Sequence, residues 1–396
     1  MDRQTTGRLR RGGLWLAAMG LGLMLSPLNT VSAQMPMPAP PQVAASSLIL
    51  KDFDSGMTVT ERDADLRVEP ASITKLMTSY VAFREIAAGN LSLDDEVVVS
   101  ERAWRTIGSR MFVEVGSRVR VEDLLKGIII QSGNDASVAL AEHIAGSEEV
   151  FAAIMNQHAQ RLGMANTYYA NATGLPDEAQ LTTARDSAIL AHAIITEFPE
   201  FYGWYSEREF TYNDIRQHNR NRLLWRDPSV DGLKTGHTNA AGYCLVTSAR
   251  RDDMRLISVV MGTASEEARA TASQALLNYG FRFFETFTVY ETNEAISTER
   301  VWGGRQQELA LGVLNPVVLT LPRGRFDALE ASIEIDDRLV APIEAGQVVG
   351  QLIVRLDGEV KSEQPLYALS EVARAGLFGR SIDAVRARMA QWFGGS

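Results

Sequence analysis

Hydrophobic residues occur along the chain either in short strand-like runs or at the spacing of about 3.6 residues that is typical of helices. Residues 46–53 are strand-like and residues 58–62 return after the turn Asp54-Ser55-Gly56, which predicts a β-hairpin. The apolar, β-branched stretches 243–249 and 256–261 flank a polar turn and predict a second hairpin. Helical spacing predicts helices over residues 76–88, 121–130, 136–144, 187–197 and 266–279, with Gly89 and Gly280 expected to end the first and the last.

The order of these elements predicts the fold class. A strand pair, several helices and then core strands are typical of an α/β domain with a mostly antiparallel sheet, which we assign to residues 45–286. From residue 287 the pattern changes to short strands separated by turns rich in Gly, Pro and Asp, at 288–290, 317–321, 331–335 and 348–355. These predict a small C-terminal all-β domain over residues 287–373. It carries no catalytic cluster, so a spacer or support role is expected.

Residues 374–396 have a different composition again. Apolar residues recur at helical spacing, and the four arginines of this stretch outnumber its single acidic residue, Asp383. A basic amphipathic helix with Trp392 and Phe393 on its apolar face suits the surface of an anionic membrane. We therefore expect a terminal amphipathic helix that anchors the protein to a membrane. The alternative is a helix docked on its own domain or on a partner.

The N-terminus has the three parts of a secretory signal peptide. Arg8, Arg10 and Arg11 precede the apolar residues 14–25, and Val31-Ser32-Ala33 supplies small residues for cleavage. Residues 1–33 are therefore predicted to direct export, and 34–44 to form a Pro-rich lead-in. The apolar run is too short to span a bilayer, although an uncleaved anchor is the alternative. We expect a periplasmic protein attached to the outer face of the inner membrane.

Charge and cysteine content exclude several classes of function. The formal net charge is −10, and removal of residues 1–33, which carry +3, makes it about −13. Such an acidic protein does not suit nucleic acid as a partner. The single cysteine, Cys244, excludes internal disulfides and lies in a predicted strand, where we expect an inert buried thiol. The five histidines lack metal-ligand spacing, so no metal and no cofactor is predicted.

The chemistry is concentrated in three short motifs. Ser72 and Lys75 lie three residues apart at the start of a predicted helix, so the two side chains share a face. A serine hydroxyl needs a base to become a nucleophile, and lysine can serve if burial or nearby positive charge lowers its pKa. The other motifs are Ser132-Gly133-Asn134 and Lys234-Thr235-Gly236. Lys234 is a plausible source of that positive charge.

Lysine usage strengthens this interpretation. The chain has 39 basic residues, of which only five are lysine. Arginine does not deprotonate usefully, whereas lysine shifts its pKa readily. Because two of the five lysines, Lys75 and Lys234, fall in motifs that require lysine, the motifs do not reflect a general abundance of this residue.

The ordered set of motifs resembles that of the class A β-lactamases and penicillin-binding proteins. The sequences around Lys234-Thr235-Gly236-His237, Ser132-Gly133-Asn134-Asp135 and Asn171-Ala172-Thr173-Gly174 are similar to the low-molecular-mass penicillin-binding proteins that act as D-alanyl-D-alanine carboxypeptidases. The similarity extends from about Ala45 to the C-terminus. It implies a β-lactamase/transpeptidase-like domain with the sheet between helical layers and the active site at one sheet edge.

The resemblance also implies roles for individual residues. Ser72 attacks the D-Ala–D-Ala bond, Lys75 accepts its proton, and Ser132 relays a proton to the leaving nitrogen. Substrate is expected to contact Asn134, Lys234, Thr235, Gly236, His237 and Arg269. The backbone N–H groups of Ser72 and His237 are implied to form the oxyanion hole. The alternative for Arg269 is a solvated helix residue. The expected partners are peptidoglycan stem peptides, with β-lactams as inhibitors that acylate Ser72.

Three alternative functions stay open at this point. A β-lactamase of class A would need a deacylating glutamate, and Glu178 comes close to that motif but is followed by Leu181-Thr182 instead of Leu-Asn. A peptidoglycan DD-endopeptidase would use the same residues, and access to the groove would decide between the two. A peptidoglycan-binding morphology factor would use its chemistry only secondarily.

Overall fold

The computed structural model describes residues 5–8, 37–335 and 338–376. The chain forms two compact units, divided between Phe283 and Phe284. Apart from the four-residue strand β1 (Thr5–Arg8), the predicted signal peptide lies outside the described residues. The predicted anchor helix lies outside them too, apart from residues 374–376. The described part of the lead-in, residues 37–44, has no regular secondary structure.

A five-stranded antiparallel sheet organises the first unit. The strands of this unit are β2 (Ser47–Asp52), β3 (Thr58–Arg62), β4 (Glu96–Val98), β5 (Arg118–Arg120), β6 (Glu209–Tyr212), β7 (Ile215–His218), β8 (Val230–Thr238), β9 (Gly242–Arg251) and β10 (Met254–Thr263). The order in the central sheet is β3-β2-β10-β9-β8, and every pairing in it is antiparallel. Both predicted hairpins, β2–β3 and β9–β10, are confirmed. β8 pairs only with β9 among the described strands, so it forms one edge of the sheet.

Helices cover both faces of this sheet. The helices described in this unit are α1 (Thr74–Ala87), α2 (Glu101–Arg105), α3 (Val121–Lys126), α4 (Asn134–Ala145), α5 (Glu148–Arg161), α6 (Ala184–Glu197), α7 (Pro199–Tyr202), α8 (Leu223–Arg226) and α9 (Glu266–Phe283). Alternate residues of a strand face opposite sides. Accordingly, Ile49 and Ile257 belong to the large core shared with α1, α4, α5 and α6, while Leu50 and Leu256 face α9. The predicted α/β class, with a mostly antiparallel sheet between helices, is confirmed.

The prediction that Gly280 ends the last helix of this unit is wrong. Helix α9 continues through Gly280 to Phe283. A Cβ atom at Gly280 would lie 2.5 Å from Leu256 Cδ1 and 3.0 Å from Leu50 Cδ2. Glycine is therefore required here because the helix lies close against the sheet, and not because the helix stops.

The second unit is made of β-strands. They are β11 (Phe284–Tyr290), β12 (Ala295–Arg300), β13 (Glu308–Gly312), β14 (Val317–Pro322), β15 (Leu329–Ile335), β16 (Val348–Leu356) and β17 (Glu359–Ala368). One sheet has the order β1-β15-β16-β17-β13-β12, and β11 pairs with β14. Its own core includes Leu311, Leu352, Val354 and Leu366, all completely buried. The predicted C-terminal all-β domain is confirmed, with β12, β13 and β17 in addition to the expected strands.

Across the described residues, the helices are all too short or too polar to traverse a lipid bilayer.

Candidate active site

Ser72 lies in a tight turn in front of helix α1. Residues Ala71–Ile73 form one turn of 3₁₀-helix, and α1 follows directly at Thr74. Ala71 has a left-handed backbone, with φ of +47°, which is uncommon for a residue with a Cβ atom. The turn therefore presents Ser72 at a helix N-terminus, as predicted, where the helix dipole favours negative charge.

Lys75 is within hydrogen-bonding distance of Ser72. Its Nζ atom lies 3.2 Å from Ser72 Oγ and donates to Asn134 Oδ1 at 2.6 Å and to the Thr173 carbonyl at 2.5 Å. The side chain is only 1% exposed. Three fixed partners thus hold an amine in a dry environment next to the hydroxyl, which is the arrangement that a lysine base requires.

Ser132 occupies a strained position between two helical segments. A π-helical turn, Gly127–Gln131, precedes it, Ser132 itself is left-handed with φ of +67°, and α4 begins at Asn134. This confirms the predicted turn between helices. The backbone conformation directs the Ser132 hydroxyl to Lys234, whose Nζ atom donates to Ser132 Oγ at 2.9 Å.

Lys234, Thr235 and Gly236 lie on β8, the edge strand. Both Lys234 and Thr235 are buried, and Lys234 Nζ also donates to the Thr235 carbonyl at 3.0 Å. At Gly236 a Cβ atom would lie 3.2 Å from Ala71 Cβ, from Ile73 Cγ1 and from the Pro70 carbonyl. Glycine thus allows β8 to lie against the turn that carries Ser72.

Arg269 and His237 differ in their surroundings. Arg269 extends from α9, is 4% exposed, and donates to the Gly236 carbonyl at 3.1 Å. The alternative of a solvated helix residue is therefore wrong. The His237 ring is exposed and stacks on Tyr243 with 3.9 Å between ring centroids. Its side chain contacts neither Ser72 nor Lys75 by any hydrogen bond found among the described residues.

The two lysines have strongly perturbed acidity. Burial, and then the positive charge of Arg220, lower the pKa of Lys75 from 10.5 to about 7, although Asp135 and Glu148 oppose the shift. Burial, followed by the charges of Lys75, Arg220 and Arg269, holds the pKa of Lys234 well below its usual range. The pair therefore carries fewer than two protons near neutral pH, so a neutral amine is available at the site.

The loop of residues 171–174 completes the pocket, although it lies outside the three catalytic motifs. The Asn171 side chain accepts from the backbone N–H groups of Thr173 and Gly174 at 3.1 and 2.8 Å and so shapes the loop. Gly174 has φ of +80°, and a Cβ atom there would lie 1.8 Å from the Ala71 carbonyl oxygen. This loop supplies the Thr173 carbonyl that holds Lys75. In the sequence, the only signal for this loop is the Asn171-Ala172-Thr173-Gly174 stretch that resembles the carboxypeptidase family.

Glu178 does not contact the catalytic cluster. Its side chain is exposed on the turn after this loop, while the neighbouring Gln180 is buried and accepts from Ala170 N and Asn171 N at 3.1 and 3.2 Å. The hydrogen-bond partners of Lys75 Nζ among the described residues are Ser72 Oγ, Asn134 Oδ1 and the Thr173 carbonyl, none of which is a carboxylate. Glu178 is thus in no position to act as the deacylating base of a class A β-lactamase.

Cys244 is completely buried in β9, and burial raises the pKa of its thiol to about 11. The expectation of an inert buried thiol is confirmed, because a thiol becomes reactive when its pKa is lowered.

Comparison with known protein families agrees with this geometry. Residues 33–265 match the family described as D-alanyl-D-alanine carboxypeptidase, and residues 284–374 match the penicillin-binding protein 5 C-terminal domain. The D-alanyl-D-alanine carboxypeptidase DacC of Escherichia coli strain K12 is 44% identical over 387 residues, which are 96% of each chain. DacA of the same strain is 43% identical over 366 residues, 90% of this chain and 91% of its own.

A solved structure shows the same architecture. The crystal structure of penicillin binding protein 5 from Haemophilus influenzae is 42% identical, with a TM-score of 0.82 over 85% of this chain and 100% of its own. Its likeness covers both units of the fold. The chain belongs to the D-alanyl-D-alanine carboxypeptidase family of low-molecular-mass penicillin-binding proteins, and it is a serine-type D-Ala-D-Ala carboxypeptidase.

Proposed function

We propose that Ser72 is the nucleophile and Lys75 the base that activates it. The observation that carries this assignment is the buried Lys75 amine, 3.2 Å from Ser72 Oγ, with its pKa lowered to about 7. Ser72 attacks the carbonyl carbon of the D-Ala–D-Ala bond as its proton passes to Lys75. The C–N bond then breaks and D-Ala leaves with a proton, so that the net transfer of the Ser72 proton to the leaving amine returns Lys75 to its neutral form. Neutral Lys75 serves again as the base when water hydrolyses the acyl-serine.

Ser132 and Lys234 carry the proton to the leaving group. Lys234 Nζ and Ser132 Oγ form a 2.9 Å hydrogen bond, so a proton that the hydroxyl gives to the leaving amine can be replaced from the lysine. Asn134 binds Lys75 through its Oδ1 atom and the Ile107 carbonyl through its Nδ2 atom. This fixes the orientation of the amide beside the nucleophile, where it also bounds the substrate groove.

Substrate binds along the edge strand β8. An extended peptide can add to a free strand edge through backbone hydrogen bonds. Lys234, Thr235 and Arg269 concentrate positive charge and a hydroxyl at this edge, which suits the terminal carboxylate of D-Ala–D-Ala. Arg269 contributes from behind the strand, because it is buried and bonded to the Gly236 carbonyl. In this arrangement the Ser72 and His237 backbone N–H groups form the oxyanion hole.

The natural substrates are peptidoglycan stem peptides, and β-lactams are inhibitors that acylate Ser72. The assignment is tested by incubating the exported form of the protein with a peptide that ends in D-Ala–D-Ala and measuring D-Ala release. Ser72→Ala should abolish release. Rapid penicillin turnover without D-Ala release would contradict the carboxypeptidase assignment and favour a β-lactamase. Cleavage of a cross-linked muropeptide, measured in the same series, tests for DD-endopeptidase activity.

A role as a peptidoglycan-binding morphology factor requires no chemistry. If the enzyme activity maintains cell shape, cells that depend on this protein should become misshapen when they carry Ser72→Ala. Retention of normal shape with this inactive variant would favour the binding role.

We infer that the protein is exported and held at the outer face of the inner membrane by the C-terminal stretch predicted as residues 374–396. Residues 374–376 do not contribute a helix to it, because Arg374 pairs with Gly304 in an isolated β-bridge. The basic amphipathic composition of this stretch supports the inference. The truncation that tests it should follow Gly376, because Val372 is buried and Ala375 N donates to the Gly303 carbonyl. The truncated protein should leave the membrane fraction with full activity. If the full-length exported protein is already found in the soluble fraction, the inference fails.

A further inference from the structure

Arg220 is joined to the Ser132 turn through a single hydroxyl group. Ser109 Oγ donates to the Gln131 carbonyl at 2.9 Å and accepts from Arg220 Nη2 at 2.7 Å. The Ser109 carbonyl in turn accepts from Asn134 N at 2.7 Å. Ser109 therefore contacts the backbone on both sides of Ser132-Gly133, and Arg220 holds the hydroxyl that makes one of these contacts.

Residues 107–113, the segment around Ser109, form further hydrogen bonds with the residues that follow Ser132. The carboxylate of Asp135 accepts from Met111 N and Phe112 N at 2.8 and 2.9 Å. On the outer side of the segment, Gln217 Nε2 donates to the Met111 carbonyl at 3.0 Å. Residues 107–113 thus lie between the Ser132 turn and the stretch that carries Gln217 and Arg220. A left-handed non-glycine residue such as Ser132 persists only when surrounding contacts hold it.

Arg220 also acts on the site through its charge. Both lysines have lowered pKa values to which Arg220 contributes. The groups that face Lys75 are Arg220, Lys234 from β8, Asp135 from α4 and Glu148 from α5. Asp135 is engaged with backbone N–H groups and Glu148 with Arg102 at 2.8 Å. Arg220 consequently offsets the negative charges of Asp135 and Glu148, which would otherwise favour the protonated form of Lys75.

We propose that Arg220 is a positioning residue for acylation, which fixes the Ser109 hydroxyl beneath the Ser132 turn and sets the electrostatic environment of the two lysines. The proposal rests on the assigned roles of Ser72 and Lys75. Arg220 was not predicted from the motifs, because an arginine in an arginine-rich chain gives no signal in the sequence.

Three variants separate the two parts of this role, with acylation by a fluorescent penicillin measured as a function of pH. Arg220→Gln removes the charge, so the midpoint of the rate–pH profile should move to higher pH and acylation near neutral pH should fall about tenfold. Arg220→Lys keeps the charge and should keep the midpoint. Ser109→Ala breaks the bridge alone, so it should lower the rate equally at every pH without moving the midpoint.

Arg216→Gln is the matched control. Arg216 lies four residues before Arg220, on β7, and its exposed side chain pairs with Glu209. Arg216→Gln therefore removes one positive charge, as Arg220→Gln does, but at a position that does not face the two lysines. Its profile should match that of the wild type, and thermal melting of each variant checks that it is folded. A midpoint for Arg220→Gln equal to that of Arg216→Gln overturns the proposal. Failure of the assigned lysine role is distinguishable, because the wild-type profile would then have no midpoint near pH 7.

Discussion

Gly174 offers the most sensitive test of how the loop supports the nucleophile. In Gly174→Ala the new Cβ atom would lie 1.8 Å from the Ala71 carbonyl oxygen, and real Cβ contacts essentially never fall under 3.0 Å. The loop and the Ser72 turn must therefore separate by more than 1 Å. The Thr173 carbonyl, which accepts from Lys75 Nζ, moves with this loop.

Both the conformation and the contact contribute to the expected loss. A left-handed alanine costs roughly 1–2 kcal/mol of stability. A displacement of about 1 Å between catalytic groups can cost about 100-fold in rate. We therefore expect Gly174→Ala to acylate about 100-fold more slowly than the wild type, in a stopped-flow assay with a fluorescent penicillin.

Gly163→Ala is the control for backbone conformation. Gly163 has φ of +78°, close to the +80° of Gly174, but a Cβ atom there would meet nothing within 4 Å. Gly163→Ala should lower the melting temperature, because it carries a similar backbone cost, and should leave the acylation rate unchanged. Equal acylation rates in the two variants would refute the argument that the loop and the Ser72 turn must stay in contact.

Three further predictions follow from buried groups. The acylation rate should rise tenfold per pH unit below a midpoint near pH 7, because the pKa of Lys75 is about 7; this midpoint belongs to the coupled pair with Lys234, and a midpoint near 10.5 would contradict the assignment. Between pH 7 and 10.5 the unfolded chain keeps the Lys75 proton that the folded protein has lost, so this group makes the free energy of unfolding rise by about 1.4 kcal/mol per pH unit. Urea titrations should show that slope reduced in Lys75→Met, and equal slopes in the two proteins would count against a lowered pKa. Asp135→Ala leaves backbone N–H groups that include those of Met111 and Phe112 without their acceptor, so urea denaturation should show the free energy of unfolding lowered by about 3 kcal/mol. A decrease under about 1 kcal/mol would contradict a stabilising role for these hydrogen bonds.

Local patterns in the sequence were sufficient for the main architecture. Short apolar, β-branched runs on either side of a polar turn predicted the β9–β10 hairpin, because these two strands are buried on both faces of the sheet. The strand β17 (Glu359–Ala368) was missed because most of its side chains are exposed, so its sequence has little hydrophobic alternation. Gly280 was misinterpreted because a glycine after an apolar run resembles a helix end, whereas the contact with Leu256 that requires it comes from a strand distant in the sequence.

The site was predictable where side-chain chemistry fixes the residue type. Ser72, Lys75, Ser132 and Lys234 were identified because the proposed chemistry needs these residue types in this order. The contribution of Thr173 was not predictable, because it acts through a backbone carbonyl that every residue has. The link from Ser109 to Arg220 joins positions 111 residues apart, which only the fold brings together.

The most direct test of the account is to locate the acyl group. After brief incubation with benzylpenicillin, trypsin should release the peptide between Arg67 and Lys75 with its mass increased by one penicilloyl group, located on Ser72 by fragmentation. D-Ala release from a D-Ala–D-Ala peptide should fall in proportion to the fraction of Ser72 modified. An adduct on a different residue, or D-Ala release that persists in fully acylated protein, would contradict the central claim that Ser72 and Lys75 form the reactive pair.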